Sequence, residues 1–250
     1  MKTQTIKLGE AKTPDDTRIY AIGDIHGCIA EFERLLEIIQ NDLASATITN
    51  HLIISLGDYV DRGPDSCGCV EKLIRLQENS DKVVCLKGNH EDKFLKFLDD
   101  PLGVAGSFFG YGGVELSQSY GVNIAAIGDP LMNAQAVREE LVRLAPKEHL
   151  SWLEALPTSF GSGDYFFAHA GVDPGVPLNS QNPHDLMWIR EPFLSHDKPL
   201  EKVVVHGHTP HSKPEVKLNR INVDTCAYDT GVLTCVVLEG AEYRFLDTSG

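Results

Sequence analysis

The sequence is short of positive charge, of paired cysteines and of long apolar runs. Its 250 residues carry 22 Lys and Arg against 36 Asp and Glu, a formal net charge of −14. So acidic a chain lacks the basic surface that non-specific nucleic-acid binding requires. Charge alone does not dock it on an anionic membrane either. No stretch approaches the ~18–20 consecutive apolar residues of a spanning helix. Residues 1–17 are polar and lack the apolar core of a secretory signal. A cytoplasmic protein with no nucleic-acid or membrane partner is the expectation. The six cysteines, Cys28, Cys67, Cys69, Cys85, Cys226 and Cys235, include no C-x-x-C pair, which removes the zinc-ribbon and thioredoxin readings. Reduced thiols acting as small apolar side chains remain. Acidity does not exclude a phosphate-bearing substrate, because bound cations can reverse the sign of the field in one cleft.

What is present is a globular chain. Hydrophobic residues make up 42 % and charged residues 23 %, which excludes global disorder. The length suits one domain with a sizeable core, taken as residues 1–250, with the polar segment to about Thr17 read as a solvated tail or an irregular edge strand. Short apolar runs at Arg18–Ile22, His51–Leu56, Lys82–Leu86, Tyr165–Phe167, Lys202–Val205 and Arg220–Val223 read as buried strands. Thr230–Leu238 and Glu242–Leu246 read as a closing hairpin turning at Glu239-Gly240. Helical spacing links Phe32, Leu35, Leu36, Ile39 and Leu43, and recurs around Val70–Leu76, Val137–Leu144 and Leu150–Leu156. Strands alternating with helices in the first half predict an α/β fold with parallel pairing, and a mixed second sheet follows. The glycine- and aromatic-rich stretch 102–133 reads as an irregular excursion over a site.

Polar chemistry falls where the strands end. The first strand runs into Gly23-Asp24-Ile25-His26-Gly27, the second into Gly57-Asp58-Tyr59-Val60-Asp61-Arg62-Gly63, and the third into Gly88-Asn89-His90-Glu91. Later strands run into Ala168-His169-Ala170-Gly171 and His206-Gly207-His208-Thr209. Ligands of open α/β sheets bind at that edge. Asp, His and Asn supply oxygen and nitrogen donors for Mn, Fe, Zn or Mg, and there are more of them than one ion needs, as a two-metal site would use. Singly, each has a plainer reading: a satisfied core histidine, a turn aspartate, a surface arginine. Five strand ends in order make those readings untenable together.

These blocks closely resemble the signature of the phosphoprotein phosphatase (PPP-type) metallophosphoesterases, from about Arg18 to Thr225. The resemblance implies a calcineurin-like fold, a central β-sandwich of mixed sheets flanked by helices. It implies two divalent metal ions, one held by Asp24, His26 and Asp58. The other is held by the bridging Asp58 with Asn89, His169 and His208. It places Arg62 and Arg190 on the phosphate and His90 with Asp61 as the acid pair, with a metal-bridging hydroxide as the nucleophile. Manganese is the expected metal in vitro, with Fe, Zn or Mg as alternatives. Arg190 could instead pair with Glu191. His206 reads as support or packing, Asp224 as a prop for His208 or a turn residue, and Tyr111 and Tyr228 as cleft or packing residues.

The resemblance divides on substrate. Asp61-Arg62 and Glu91 resemble the serine/threonine protein phosphatases, including compact bacterial and phage enzymes. The first expectation is therefore a protein phosphatase acting on phosphoprotein or small phosphomonoesters, dual specificity included. The alternative is a symmetrical diadenosine tetraphosphate hydrolase or another nucleotide phosphoesterase. A non-catalytic metal-binding scaffold stands behind both.

Overall fold

The computed structural model of the chain describes residues 5–45 and 48–250. The first four residues of the polar N-terminal segment lie outside that description. From residue 6 onward the segment is no solvated tail. Ile6 bridges to Leu200, the Leu8 amide donates to the Leu218 carbonyl, and Ala11 is fully buried.

Among the described residues ten strands form two five-stranded sheets. The first sheet is built from β1 (Thr17–Ile22), β2 (Asn50–Ser55), β3 (Val83–Cys85), β9 (Thr234–Glu239) and β10 (Glu242–Asp247) in the order β10-β9-β1-β2-β3. β1, β2 and β3 run parallel, while β9 and β10 are antiparallel. The second sheet contains β4 (Ser159–Ser162), β5 (Tyr165–Ala168), β6 (Val203–His206), β7 (Glu215–Val216) and β8 (Arg220–Asn222) in the order β4-β5-β6-β8-β7. Its centre, β5-β6-β8, is parallel and its edges antiparallel. The expected calcineurin-like sandwich of mixed sheets is what forms.

Period-two alternation explains the layering. Ile19 and Ala21 of β1 face inward and meet Tyr165 and Phe167 of β5 and Val203 and Val205 of β6. Tyr20 and Ile22 face outward under the helices α1 (Ile29–Ala44) and α2 (Ser66–Asn79). Phe166 and Val204 face the opposite outer side against Leu186 and Phe193. Strands covered on both faces must be apolar throughout, which is why the short runs carried so clear a signal.

Helix α3 (Asn89–Asp99) starts within the third motif block and was not read as a helix from the sequence. The stretch 102–133 is likewise mostly helical, forming α4 (Pro101–Gly110), α5 (Gly113–Ser119) and α6 (Ile124–Ile127). The many glycines suggested irregular chain, but local and tertiary forces outweigh their low helix propensity. Asp100 caps α4 by accepting from the Gly103 amide at 3.0 Å, and Phe108 stacks on Phe97 with centroids 4.0 Å apart. Behind them α7 (Ala134–Leu144) and α8 (Lys147–Ala155) complete the layer, and α9 (Pro183–Trp188) and α10 (Ala227–Thr230) flank the cleft.

Candidate dimetal site

The loops leaving β1, β2 and β3 meet those leaving β5, β6 and β8 at one edge of the sandwich. There Asp24, His26, Asp58, Asn89, His169 and His208 are all buried. The approach demands unusual backbone. Gly57 has φ +108°, and a Cβ there would come 2.7 Å from the Gly88 amide nitrogen. Among the described residues seven non-glycines have positive φ, and His26, Asp58, Asp61, Arg62 and His208 are five of them. Each left-handed residue costs roughly 1–2 kcal/mol, so other contacts must hold these loops. The fully buried Glu91 is one such contact. Its carboxylate accepts from the amides of Asp58 at 2.9 Å, Tyr59 at 2.7 Å and Gly88 at 2.8 Å.

Two groups of donor atoms share Asp58: His26, Asp58 and His90 in one, Asp58, His169 and His208 in the other. Asn89 joins the second, its Oδ1 lying 2.8 Å from His169 Nε2 and 2.7 Å from His208 Nδ1. Asp24 lines the cleft but stands outside both tight groups, accepting from the His208 amide at 3.0 Å. His90 occupies the place in the first group that the sequence assigns to Asp24.

The ring orientations test whether cations fit. His26 Nδ1 lies 2.9 Å from the Val60 carbonyl, which can only accept, so the proton sits on Nδ1. Burial, aided by His90, pushes this imidazole down to about 4, so the ring is neutral. Its Nε2 lone pair faces the Asp58 carboxylate at 3.5 Å, acceptor against acceptor. His169 is held from behind in the same way, with Nδ1 on the Leu56 carbonyl at 3.1 Å, and its Nε2 lies 3.3 Å from Asp58 Oδ1. Burial would lower His169, but the Asp58 carboxylate outweighs it and raises its pKa. Burial together with Asp224 and Asp58 holds the Asp24 carboxyl well above its usual range. Positive charge is what this cluster lacks, and metal-binding histidines are held from behind in this way. The residues fit a pair of divalent ions.

Beside the cluster, His90 Nδ1 lies 2.5 Å from Asp61 Oδ2, and His90 Nε2 lies 3.8 Å from Asp58. Burial lowers His90 to about 4 and, with Asp58 nearby, raises the Asp61 carboxyl. Asp61 stands behind His90 rather than on the cleft wall. The cleft has a volume of about 400 Å³. Arg62 enters it between the rings of Tyr228 and Tyr111. Arg190 lies at the mouth, exposed, with Nη2 3.5 Å from the His208 carbonyl. Its alternative partner Glu191 accepts from Ser195 instead.

Tyr111 and Tyr228 line the cleft, as does Asp224, which accepts from the Cys226 amide and makes no hydrogen bond to His208. His206 packs away from it, 3.4 Å from Arg220 and edge-on to Phe193. The sequence reading missed Lys93 and Trp188, which also line the cleft. The i, i+4 spacing from Asn89 to Lys93 was the available signal, usable only once residues 89–99 are seen as a helix.

Residues 17–236 match the model of the calcineurin-like phosphoesterase family, and the chain belongs to that family. Its members are metal-dependent phosphoesterases with a dimetal centre. The chain is 32 % identical over 156 residues to a symmetrical bis(5'-nucleosyl)-tetraphosphatase of Methylococcus capsulatus, covering 62 % of this chain and 44 % of that relative. It thus spans less than half of that relative's length. It is 25 % identical over 235 residues to the asymmetrical bis(5'-nucleosyl)-tetraphosphatase PrpE of Anoxybacillus flavithermus, covering 86 % and 88 %. A solved structure provisionally described as a diadenosine tetraphosphatase shares the fold with a TM-score of 0.63 at 22 % identity, covering 96 % of this chain and all of that one.

These relatives overturn the expectation of a serine/threonine protein phosphatase. The structure explains why that expectation misled. Glu91 spends its carboxylate on backbone amides and Asp61 spends its own on His90. Of the three residues that favoured a phosphoprotein, Asp61 and Glu91 stand off the cleft wall and only Arg62 lines it, where a guanidinium serves the phosphate of either substrate class.

Proposed function

We propose that the protein hydrolyses a phosphoanhydride bond of dinucleoside polyphosphates, with diadenosine tetraphosphate as the representative substrate. The observation that carries this reading is the make-up of the cleft wall: three cations, Arg62, Lys93 and Arg190, and three rings, Tyr111, Trp188 and Tyr228. A chain of phosphates takes several cations, and purines stack on aromatic faces. The names of the tetraphosphatase relatives support the same substrate class.

His26 and Asp58 would hold one divalent ion, joined by Asp24 once its carboxylate turns from the His208 amide, and Asp58, Asn89, His169 and His208 would hold the other. Bound there, the ions would supply Lewis acidity and lower the pKa of water toward neutrality. The chain's own side chains do the rest. Arg62 and Arg190 hold the phosphoryl oxygens by charge-assisted hydrogen bonds. His90, oriented by Asp61 at Nδ1, presents Nε2 to the departing oxygen. An anhydride leaves as a phosphate, whose last pKa is about 6, so it asks less of that acid than a serine alkoxide would.

The test is an assay of the purified protein with Mn²⁺ on diadenosine tetraphosphate and on a phosphoserine peptide, with products separated by chromatography. Two ADP molecules would mark symmetrical cleavage, and ATP with AMP asymmetrical cleavage. No turnover of diadenosine tetraphosphate beside efficient dephosphorylation of the peptide would overturn the reading.

A further inference from the structure

Cations and rings alternate along one wall of the cleft. Arg62 lies 4.6 Å from the Tyr228 centroid and 5.7 Å from that of Tyr111. Lys93 then lies 3.9 Å from the Tyr111 centroid and 5.2 Å from that of Trp188. Trp188 is fixed in turn by its indole N–H, which donates to Asp92 at 3.2 Å.

Lys93 is the unusual member. It is only 6 % exposed, yet its ammonium forms no ion pair and no hydrogen bond among the described residues. Lysines this buried are ordinarily paired with a carboxylate. Here two π-faces hold the ammonium in place, and the carboxylates of Asp61, Asp58 and Asp92 act on it from beyond ion-pair distance. Its position follows from the helix. Lys93 is one turn beyond Asn89 and His90 on the same face of α3, and the rise of 1.5 Å per residue sets it about 6 Å further along the axis than Asn89. Its ammonium sits on the cleft wall between Tyr111 and Trp188, in electrostatic reach of Asp61 and Asp58, beside the path an extended anion would take outward from the Asp58 cluster.

The geometry points to Lys93 as a specificity-determining residue: its ammonium, clamped between Tyr111 and Trp188, takes a substrate phosphate beyond the one being cleaved. This rests on the polyphosphate reading above and sharpens it. A phosphomonoester offers no second phosphate, so Lys93 is a residue by which the cleft tells a phosphate chain from a single phosphoryl group.

The experiment uses the full chain loaded with Mn²⁺ and the variant Lys93→Met, which keeps the apolar stem and removes the charge. The ratio of kcat/KM for diadenosine tetraphosphate to that for p-nitrophenyl phosphate is expected to fall about tenfold to a hundredfold, as for a lost hydrogen bond to a charged group. Most of the loss should lie in KM. A methylene-bridged, uncleavable analogue should bind more weakly by a similar factor in calorimetry, and Lys93→Arg should recover most of both. Melting temperature and metal content report that the variant is folded; Lys93→Gln replaces it if it is not. Equal losses on both substrates, or a shifted pH profile on both, would overturn the proposal and assign Lys93 to the Asp61–His90 pair. A wild-type protein that leaves diadenosine tetraphosphate intact would instead overturn the function proposed above. Lys93 would then still be tested by calorimetry with inorganic triphosphate against orthophosphate: loss of a wild-type preference for triphosphate in Lys93→Met supports its role, and no such preference in the wild type ends it.

Discussion

The floor and the wall of the cleft are built on opposite plans. The floor hangs from the ends of six strands, and His26, Asp58 and His208 hold left-handed backbone there. Its side chains are buried, and the rings of His26 and His169 are pinned from behind by main-chain carbonyls. The wall comes from the helical layer: the second turn of α3, the α4–α5 junction, α9 and α10. Its rings are partly open to solvent, Tyr111 at 49 % and Tyr228 at 37 %. A floor so constrained serves one kind of chemistry, the handling of a phosphoryl group beside two cations. A wall of partly open rings and helix-borne cations can vary without disturbing the sandwich, and on the reading proposed above it selects what the phosphoryl group is attached to. The family resemblance was carried by the floor, and the substrate was misjudged although Arg62, Arg190, Tyr111 and Tyr228 of the wall stood in the sequence, because Lys93 and Trp188 were not read with them.

The largest effect should come from the hinge of the floor. Asp58 belongs to both donor groups and also accepts from the His90 amide at 3.0 Å. Asp58→Asn removes the charge common to both ion sites. Changing groups that merely support metal ligands costs 10–100-fold in metal affinity or activity, so this change should cost more than about 100-fold in turnover and leave fewer than two ions bound. Metal content by emission spectrometry, read beside activity, checks it. Two full equivalents of metal in the variant would break the idea that one carboxylate joins both halves of the floor.

The same contrast sets what could be read in advance. Strands buried on two faces announce themselves as apolar runs, and the residues after them stand in fixed order, so the sandwich was legible and the candidate residues other than Arg190 could be named from their place at the strand ends. That Asp24 turns to the His208 amide while His90 joins the tight group was not, because spacing along a loop does not say where a carboxylate points. Helix α3 went unread because a helix start at His90 was set aside in favour of the chemistry of Gly88-Asn89-His90-Glu91, although Glu91 reaches back to the Gly88 amide in a capping arrangement. With α3 unread, the i, i+4 relation of Asn89 to Lys93 had no meaning. The stretch 102–133 was obscured by glycines, whose low propensity is outweighed by the Phe94, Phe97 and Phe108 stack.

Floor and wall meet backbone to backbone at Gly112. Gly112, between α4 and α5, has φ +108°, and a Cβ there would lie 2.2 Å from the Arg62 amide nitrogen and 2.9 Å from its Cα. Backbone cannot yield as a side chain end can. Gly112→Ala should therefore push the wall off the floor, at about 1–3 kcal/mol for the overpacking alone. The loss in stability, followed by thermal melting, should come with a drop in turnover, because Arg62 moves with its loop. Unchanged melting and activity would show that the two regions are less tightly joined than the contact implies.

The smallest effect should come from a ring. Tyr111 contacts Arg62 and Lys93 with its face and lies edge-on to His90 at 6.3 Å, yet half of its surface is open to solvent. Tyr111→Ala should leave the melting temperature and metal content as they are. Loss of the two cation–π contacts loosens both cations, and at roughly 0.5–2 kcal/mol for such a contact KM for diadenosine tetraphosphate should rise about threefold to tenfold. Arg62 retains Tyr228 and Lys93 retains Trp188, which caps the loss. Tyr111→Phe keeps the face and should behave as wild type, since the Tyr111 hydroxyl makes no hydrogen bond among the described residues. A kcat effect larger than the KM effect in Tyr111→Ala would move this ring from the wall to the floor, through its edge contact with His90.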